Sequence, residues 1–256
     1  VSAVLNIRTG ELFDDADAAD AGHPLEAEVA RLNAAYADAS PHEILDVAVN
    51  EVFDGRIALV SSFGAEAAVL LALVAETNPS TPVVFLETGK HFAQTLSYRR
   101  QLQKRLGLTD VRDVKPDADD LAATDSKGTL WRSDTDACCH IRKVLPLDRA
   151  LAGFDAWITG RKRFHGGGRA RLPLFERSGE KVKVNPLARA DKETLDRMIA
   201  ERDLPAHPLI AQGFPSIGCW PCTRPSDNPD DLRAGRWAGQ DKAECGIHVW
   251  SPGGAQ

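Results

Sequence analysis

The chemistry available to this sequence is concentrated in its five cysteines. Cys138 and Cys139 are adjacent, in Cys138-Cys139-His140-Ile141-Arg142-Lys143, and Cys219 and Cys222 bracket Trp220-Pro221. A disulfide between neighbours is strained and an odd count leaves one thiol over, so metal ligation or thiol chemistry fits better than a bridged scaffold. Four thiolates in two pairs suit an iron–sulfur cluster, which offers separate irons to neighbouring sulfurs. A four-cysteine zinc site stays open as the alternative, although its ligand pairs normally lie two to four residues apart. Arg142 and Lys143 follow in a helical stretch, where their charge would offset a cluster or reach an anion; a solvated basic turn is the plainer reading. Cys245, in Lys242-Ala243-Glu244-Cys245-Gly246-Ile247-His248, belongs to neither pair. It sits in polar sequence expected to be exposed, where Lys242, Arg236 and Arg233 would favour the reactive thiolate. His248 would do the same, or serve as a cap.

Two further segments suit an anion. Ser61-Ser62-Phe63-Gly64-Ala65-Glu66 joins an apolar run to a helical one, and small residues there let backbone N–H groups approach a phosphate or sulfate. The Gly-Lys-Ser/Thr ending of a Walker A loop is missing, and a merely structural turn remains open. Arg161-Lys162-Arg163-Phe164-His165-Gly166-Gly167-Gly168-Arg169-Ala170-Arg171 carries five cations and no acid, the composition of an anion clamp or of a solvated surface loop. RNA binding fits it less well without interleaved stacking aromatics. His165 is expected to be an exposed loop residue.

The elements that must position these residues follow from periodicity. Leu25, Val29, Leu32 and Tyr36 recur at helical spacing between Pro24 and Ala39, and Ser40-Pro41-His42-Glu43 announces a second helix to about Phe53. Ile57 to Val60, Pro82 to Leu86, Val111 to Val114 and Ala156 to Thr159 read as short strands. Helical stretches Ala67 to Ala75, one ending at Leu106, and Asp117 to Ala123 separate them. Strands alternating with helices predict an α/β fold with a mostly parallel sheet flanked by helices, its ligand at the carboxyl ends of the strands. A 256-residue chain with 43% hydrophobic and 27% charged content suits one domain. The expected division is a loosely held arm over residues 1–22, a nucleotide-binding domain over 23–222 and a mobile tail over 223–256 carrying Cys245. A net charge of −6 argues against bulk nucleic-acid binding. No stretch approaches the roughly 20 apolar residues of a membrane span and no secretory pattern is evident, so the expectation is cytoplasmic.

Taken together, Ser62-Phe63-Gly64-Ala65-Glu66, Leu86-Glu87-Thr88-Gly89-Lys90, the two cysteine pairs and Glu244-Cys245-Gly246-Ile247-His248 resemble the adenylylsulfate/phosphoadenylylsulfate reductase family over about residues 40 to 250. The resemblance implies a PP-loop type (adenine nucleotide alpha-hydrolase-like) fold. It also implies an oxidoreductase of sulfate assimilation and cysteine biosynthesis that reduces adenosine 5′-phosphosulfate to sulfite and AMP. Cys245 would be the nucleophile, forming an S-sulfocysteine that reduced thioredoxin or a glutaredoxin-like donor releases. Cys138, Cys139, Cys219 and Cys222 would ligate a [4Fe-4S] cluster, the mark of members that take the nucleotide without a 3′-phosphate. Ser61, Ser62, Phe63, Gly64 and Glu66 would line the phosphate region, and Leu86 and Gly89 would flank the adenosine. Lys143 would face the phosphosulfate, while Gly160, Arg161, Arg233 and Arg236 would hold the nucleotide. A homo-oligomer is compatible with this reading; a nucleic-acid or membrane partner is not. A tryptophan that many relatives carry near Ala190 is absent. Three alternatives stay open: reduction of the 3′-phosphorylated nucleotide, an ATP pyrophosphatase of the same loop type, and a cluster-bearing sensor that binds nucleic acid.

Overall fold

The structure, a computed structural model, describes residues 4–5, 12–13, 23–228, 231–240, 242 and 244–248. Much of the expected arm, and the tail residues 229–230, 241, 243 and 249–256, lie outside the described residues. Within the arm, β1 (Val4–Leu5) and β2 (Leu12–Phe13) pair antiparallel.

Apolar strands build the centre: β3 (Ile57–Val60), β4 (Val83–Leu86), β5 (Val111–Val114) and β6 (Ala156–Ile158). With β7 (Phe175–Ser178) and β8 (Lys181–Val184) they form one six-stranded sheet in the order β5-β4-β3-β6-β8-β7. All neighbours are parallel except the β7–β8 hairpin. The expected α/β sheet flanked by helices is therefore present, with one antiparallel edge added. That hairpin and the helix Lys192–Glu201 are not among the sequence expectations. Phe175-Glu-Arg-Ser, short and charged, suits the edge of a sheet, and Lys181-Val-Lys-Val pairs between it and β6 with Val182 and Val184 buried.

Helices cover both faces. On one side lie α1 (Pro24–Ala35), α2 (Pro41–Asp46) and α3 (Ala67–Thr77), the last buried at every position from Ala68 to Val74. The Ser40–Glu43 capping box forms as expected, and α2 runs on as a wider π-type turn over Val47–Val52. On the other side α7 (Leu145–Leu151) packs Leu147 and Leu151 on Ala58, Val84 and Trp157. Between these helices in sequence come α4 (Ala93–Leu106), α5 (Ala118–Thr124) and α6 (Thr135–Cys139), and α8 is Lys192–Glu201. Among the described residues no helix is long and apolar enough to cross a membrane.

Two consequences of this order matter for function. The chain leaves β3 for β4 on one side and later returns to β6 on the other, so a crevice opens beyond the carboxyl ends of β3 and β6, where such folds bind ligands. The exposed edge of the sheet is closed by a side chain: Asn33 Nδ2 donates to the Phe175 carbonyl at 2.7 Å and Asn33 Oδ1 accepts from the Phe175 amide at 3.1 Å. We expect Asn33→Leu to lower stability by about 1–3 kcal/mol through the unpaired β7 backbone. A urea midpoint unchanged from that of the wild type would show that water replaces the amide without cost.

Candidate active site

The crevice is a pocket of about 220 Å³ whose walls come from the loop after β3, the loop after β6 and the Pro215 to His248 stretch. The β3 loop is held by its own side chains. Ser61 Oγ accepts from the Phe63 amide at 3.2 Å, and Phe63 takes a left-handed φ of 49°, rare for a bulky residue. The ring pays for this by packing edge-on against Phe85 at 5.5 Å in the core. Gly64 has no room for a side chain, because a Cβ would meet the Ile217 carbonyl at 3.1 Å. No side chain caps the first turn of α3, and Ala65, Glu66 and Ala67 at its start line the same pocket.

Of the cations in the lining, Arg161, Lys162, Arg169 and Arg233 each meet a carboxylate in space. Lys162 Nζ donates to Glu66 at 2.7 Å, and His165 Nε2 lies 3.2 Å from the same carboxylate. Burial would raise the Glu66 pKa, but the hydrogen bonds and charges of His165 and Lys162 outweigh it and hold the carboxyl at about 2. Arg161 contacts Glu176 and reaches Asn185 Oδ1 at 3.3 Å; burial and then Arg169 bring it down to about 10. Arg169 grips Glu244 with two hydrogen bonds, at 2.5 and 2.6 Å, and Arg233 approaches the same group at 3.4 Å. Behind this layer His248 stacks parallel to Trp157, whose ring also carries Lys183 Nζ 4.9 Å from its centroid. Burial, with Arg161, Arg169, Lys183 and Arg233 nearby, pushes the His248 imidazole well below its usual value, so it is neutral.

Cys245 is half-buried in the pocket wall. A second, small cavity of about 10 Å³ lies beside the first and is lined by Cys138, Cys139, Cys219 and Cys222 together with Arg142 and Lys143. Lys143 and Cys219 line both spaces and so form the partition. Burial works against the Lys143 charge, yet the sulfurs of Cys219, Cys139 and Cys245 raise its pKa above the ordinary value. Burial and then Cys139 push the Cys138 thiol up to about 11, and burial and then Cys219 raise Cys222. Thiols packed in this way are costly to ionise unless a cation takes them up. Among the described residues no group of three or more His, Cys, Asp or Glu is set to hold a single ion. One tetrahedral ion would need its sulfurs at about 2.3 Å from a common centre, whereas a cubane spreads them over separate irons. Four thiols around one cavity, with Arg142 and Lys143 beside them, are a donor set of the kind a cluster takes.

Among the expected nucleotide residues, Ser61, Ser62, Gly64, Glu66, Leu86, Lys143, Gly160, Arg161, Arg233 and Arg236 line the one pocket with Cys245. Phe63 and Gly89 do not. Phe63 turns into the core, and Gly89, at φ 70°, packs 3.5 Å from Arg142 Nη1 when a Cβ is placed on it. Its turn serves the cysteines instead: Thr88 Oγ1 lies 3.3 Å from Cys219 Sγ, and Lys90 accepts from the Trp220 amide. Arg142 donates to Asp125 at 2.7 Å, away from the main pocket. His165 is not the exposed residue expected, since Glu66 draws its side chain down to 11% exposure. Nor is the Cys245 segment exposed: Trp237 is buried under Arg236, and Lys242 is engaged by Asp136 rather than by the thiol. Lys162, Arg169, Glu244 and Trp157 were absent from the expected site; the motifs contain the first three, but nothing local assigns them partners.

Residues 56–225 match the phosphoadenosine phosphosulfate reductase domain family. The chain is 48% identical over 231 residues to the adenosine 5′-phosphosulfate reductase of Mesorhizobium japonicum, covering 90% of this chain and 91% of that relative. It is 47% identical to the protein of the same name from Chelativorans sp. strain BNC1, over 88% of this chain and 94% of that one. Among solved structures, the phosphoadenylyl-sulfate reductase from Candida auris in its phosphate complex superposes with a TM-score of 0.66 at 29% identity, covering 77% of this chain and 96% of that chain.

Behind the pocket wall, the Lys183 ammonium is buried against the Trp157 ring. Burial and then Arg161 bring Lys183 down to about 7; Glu176, 3.6 Å away, is already taken by Arg161. An unfolded lysine keeps its proton to about pH 10.4, so between roughly pH 7 and 10 the unfolded state binds the extra proton and folding stability rises with pH. Lys183→Met should therefore stabilise the protein by roughly 2 kcal/mol or more at pH 6, with the gain shrinking by pH 9.5. Urea midpoints of both proteins at the two pH values check this, and an equal gain at both would contradict it.

Proposed function

The chain belongs to the phosphoadenosine phosphosulfate reductase family, and from that premise we propose that it is an assimilatory adenosine 5′-phosphosulfate reductase, forming sulfite and AMP. The observation that carries this reading is the meeting of three features in one crevice: the β3 phosphate loop, the half-buried Cys245 thiol and the Lys143 partition to the four-cysteine cavity.

The nucleotide enters at the carboxyl ends of β3 and β6, with Ser61, Ser62, Gly64 and the α3 amides facing its phosphate. Gly160, Arg161, Arg233 and Arg236 hold the nucleotide, Leu86 packs on the adenosine, and Lys143 faces the sulfate. The Cys245 thiolate attacks the sulfate sulfur, forming an S–S bond as the sulfur–oxygen bond to the phosphate breaks. AMP leaves as a stable anion, so no general acid is needed. Fixed positive groups in a pocket shielded from water stabilise the spreading charge, and alignment of thiolate and sulfur supplies the rest. A thiolate of a dithiol protein, thioredoxin or a glutaredoxin-like donor, then attacks Cys245 Sγ and displaces sulfite. The donor's second thiolate resolves the mixed disulfide, so the donor loses two electrons and sulfur falls from the sulfate to the sulfite state.

Cys138, Cys139, Cys219 and Cys222 would hold a [4Fe-4S] cluster, whose negative charge would anchor the Lys143 ammonium beside the sulfate. The electron pairs come from the dithiol. The setting is the cytoplasm, in the route from sulfate to cysteine, and self-association is compatible with it. Reduction of the 3′-phosphorylated nucleotide is the second reading, favoured by the likeness to the phosphoadenylyl-sulfate reductase of Candida auris.

The test is sulfite release from each nucleotide with reduced thioredoxin. We expect kcat/KM to favour the nucleotide without the 3′-phosphate by at least about tenfold and Cys245→Ser to lose about 10³-fold or more. The opposite preference would select the second reading, and full activity in Cys245→Ser would reject Cys245 as nucleophile.

A further inference from the structure

Cys245 needs two positions in this chemistry: over the nucleotide while sulfur is transferred, and open to a protein thiol afterwards. The side chain of the neighbouring residue, Glu244, reaches across to the loop after β6. It accepts both hydrogen bonds of the Arg169 fork at 2.5 and 2.6 Å, with the arginine side chain only 9% exposed and the carboxylate 26% exposed. The two residues are 75 positions apart and come from different walls, the loop after β6 and the Cys245 segment. From Arg169 the contacts continue to His165 Nδ1 at 3.3 Å and through His165 to Glu66 at 3.2 Å, at the start of α3. On the opposite side the segment meets α6, which bears Cys138 and Cys139, through Lys242 on Asp136, and the turn that follows it through Gly246, where a Cβ would come 3.0 Å from Val144.

We propose that Arg169 and Glu244 form a latch that holds Cys245 closed over the pocket and must part before a protein thiol can reach it. This rests on the reading of Cys245 as nucleophile; both latch members are positioning residues, acting through the thiol they place. The geometry is that of a fork-on-fork carboxylate pair, directional as well as charged, which fixes the angle of the segment as a single contact would not. The pair also has a strong reason to close. Arg169 lies close enough to Arg161 and Arg233 to lower the proton affinity of both, and Glu244 works against that repulsion at each. Truncating one partner of such a pair leaves the other charge stranded.

The experiment is the rate of Cys245 alkylation by iodoacetamide in the full-length, nucleotide-free protein, read peptide by peptide by mass spectrometry so that the other cysteines are scored separately. Glu244→Gln, which keeps the shape of the side chain, and Arg169→Gln should each speed Cys245 modification by about tenfold or more. The exchanged pair Arg169→Glu with Glu244→Arg should return it to within about threefold of wild type, which a loss of general folding would not do. Single variants that react at the wild-type rate, or an exchanged pair as reactive as the singles, would overturn the latch. Because alkylation needs no turnover, a wild-type protein that releases no sulfite would defeat the proposed reaction while leaving this result to stand or fall by itself.

Discussion

Positive charge in a shielded pocket must be balanced, and that requirement organises the whole site. Lys162, Arg161, Arg169 and Arg233 stand around one crevice, where each unneutralised cation would cost several kcal/mol. The acids that answer them are Glu66 on the loop after β3, Glu176 on the edge hairpin and Glu244 beside Cys245. Each comes from a different part of the chain, so charge balance is also what draws the β3 loop, the sheet edge and the Cys245 segment together. A nucleotide carrying phosphate and sulfate would meet cations already held in place, and preorganised charge of this kind is what stabilises a charged transition state.

The partition made by Lys143 gives the four-cysteine cavity its meaning. Three sulfurs, Cys139 from the small cavity, Cys245 from the pocket and Cys219 from the partition itself, surround one ammonium group and favour its charge. Thr88 and Lys90 anchor the second cysteine pair to the turn after β4, while Arg142, tied to Asp125 and to the Thr88 carbonyl, fixes the first. The cysteine cavity is thereby built into the same turn that ends a central strand, and whatever fills it bears directly on the position of Lys143.

Much of this was legible from local patterns. Buried strands such as Ile57–Val60, the Ser40 capping box and the paired cysteines declare themselves within a few residues, and the loop after β3 does so by its small side chains. What stayed hidden depends on contacts between distant segments. The basic loop from Arg161 to Arg171 has no acid within it, yet Lys162 meets Glu66 across 96 residues and Arg169 meets Glu244 across 75. His165 reads as an exposed loop residue until Glu66 is placed beside it. Phe63 reads as part of the binding loop, but its ring serves as the loop's anchor in the core, and Gly89 shapes the cysteine turn instead of the nucleotide wall. The β7–β8 hairpin was missed because both strands interrupt their apolar residues with charges, Glu176 and Arg177 in one and Lys181 and Lys183 in the other, and so lack the apolar run of β3 or β4.

The central claim is that Cys245, closed over the pocket, takes the sulfonate group before any reductant is present. Intact mass of the anaerobically purified protein, mixed with adenosine 5′-phosphosulfate alone, measures this directly. A gain of roughly 80 Da, the mass of SO₃ left by covalent transfer, should appear in the wild type, be absent in Cys245→Ser and vanish when reduced thioredoxin is added. Nucleotide binding with no gain in mass would contradict the claim.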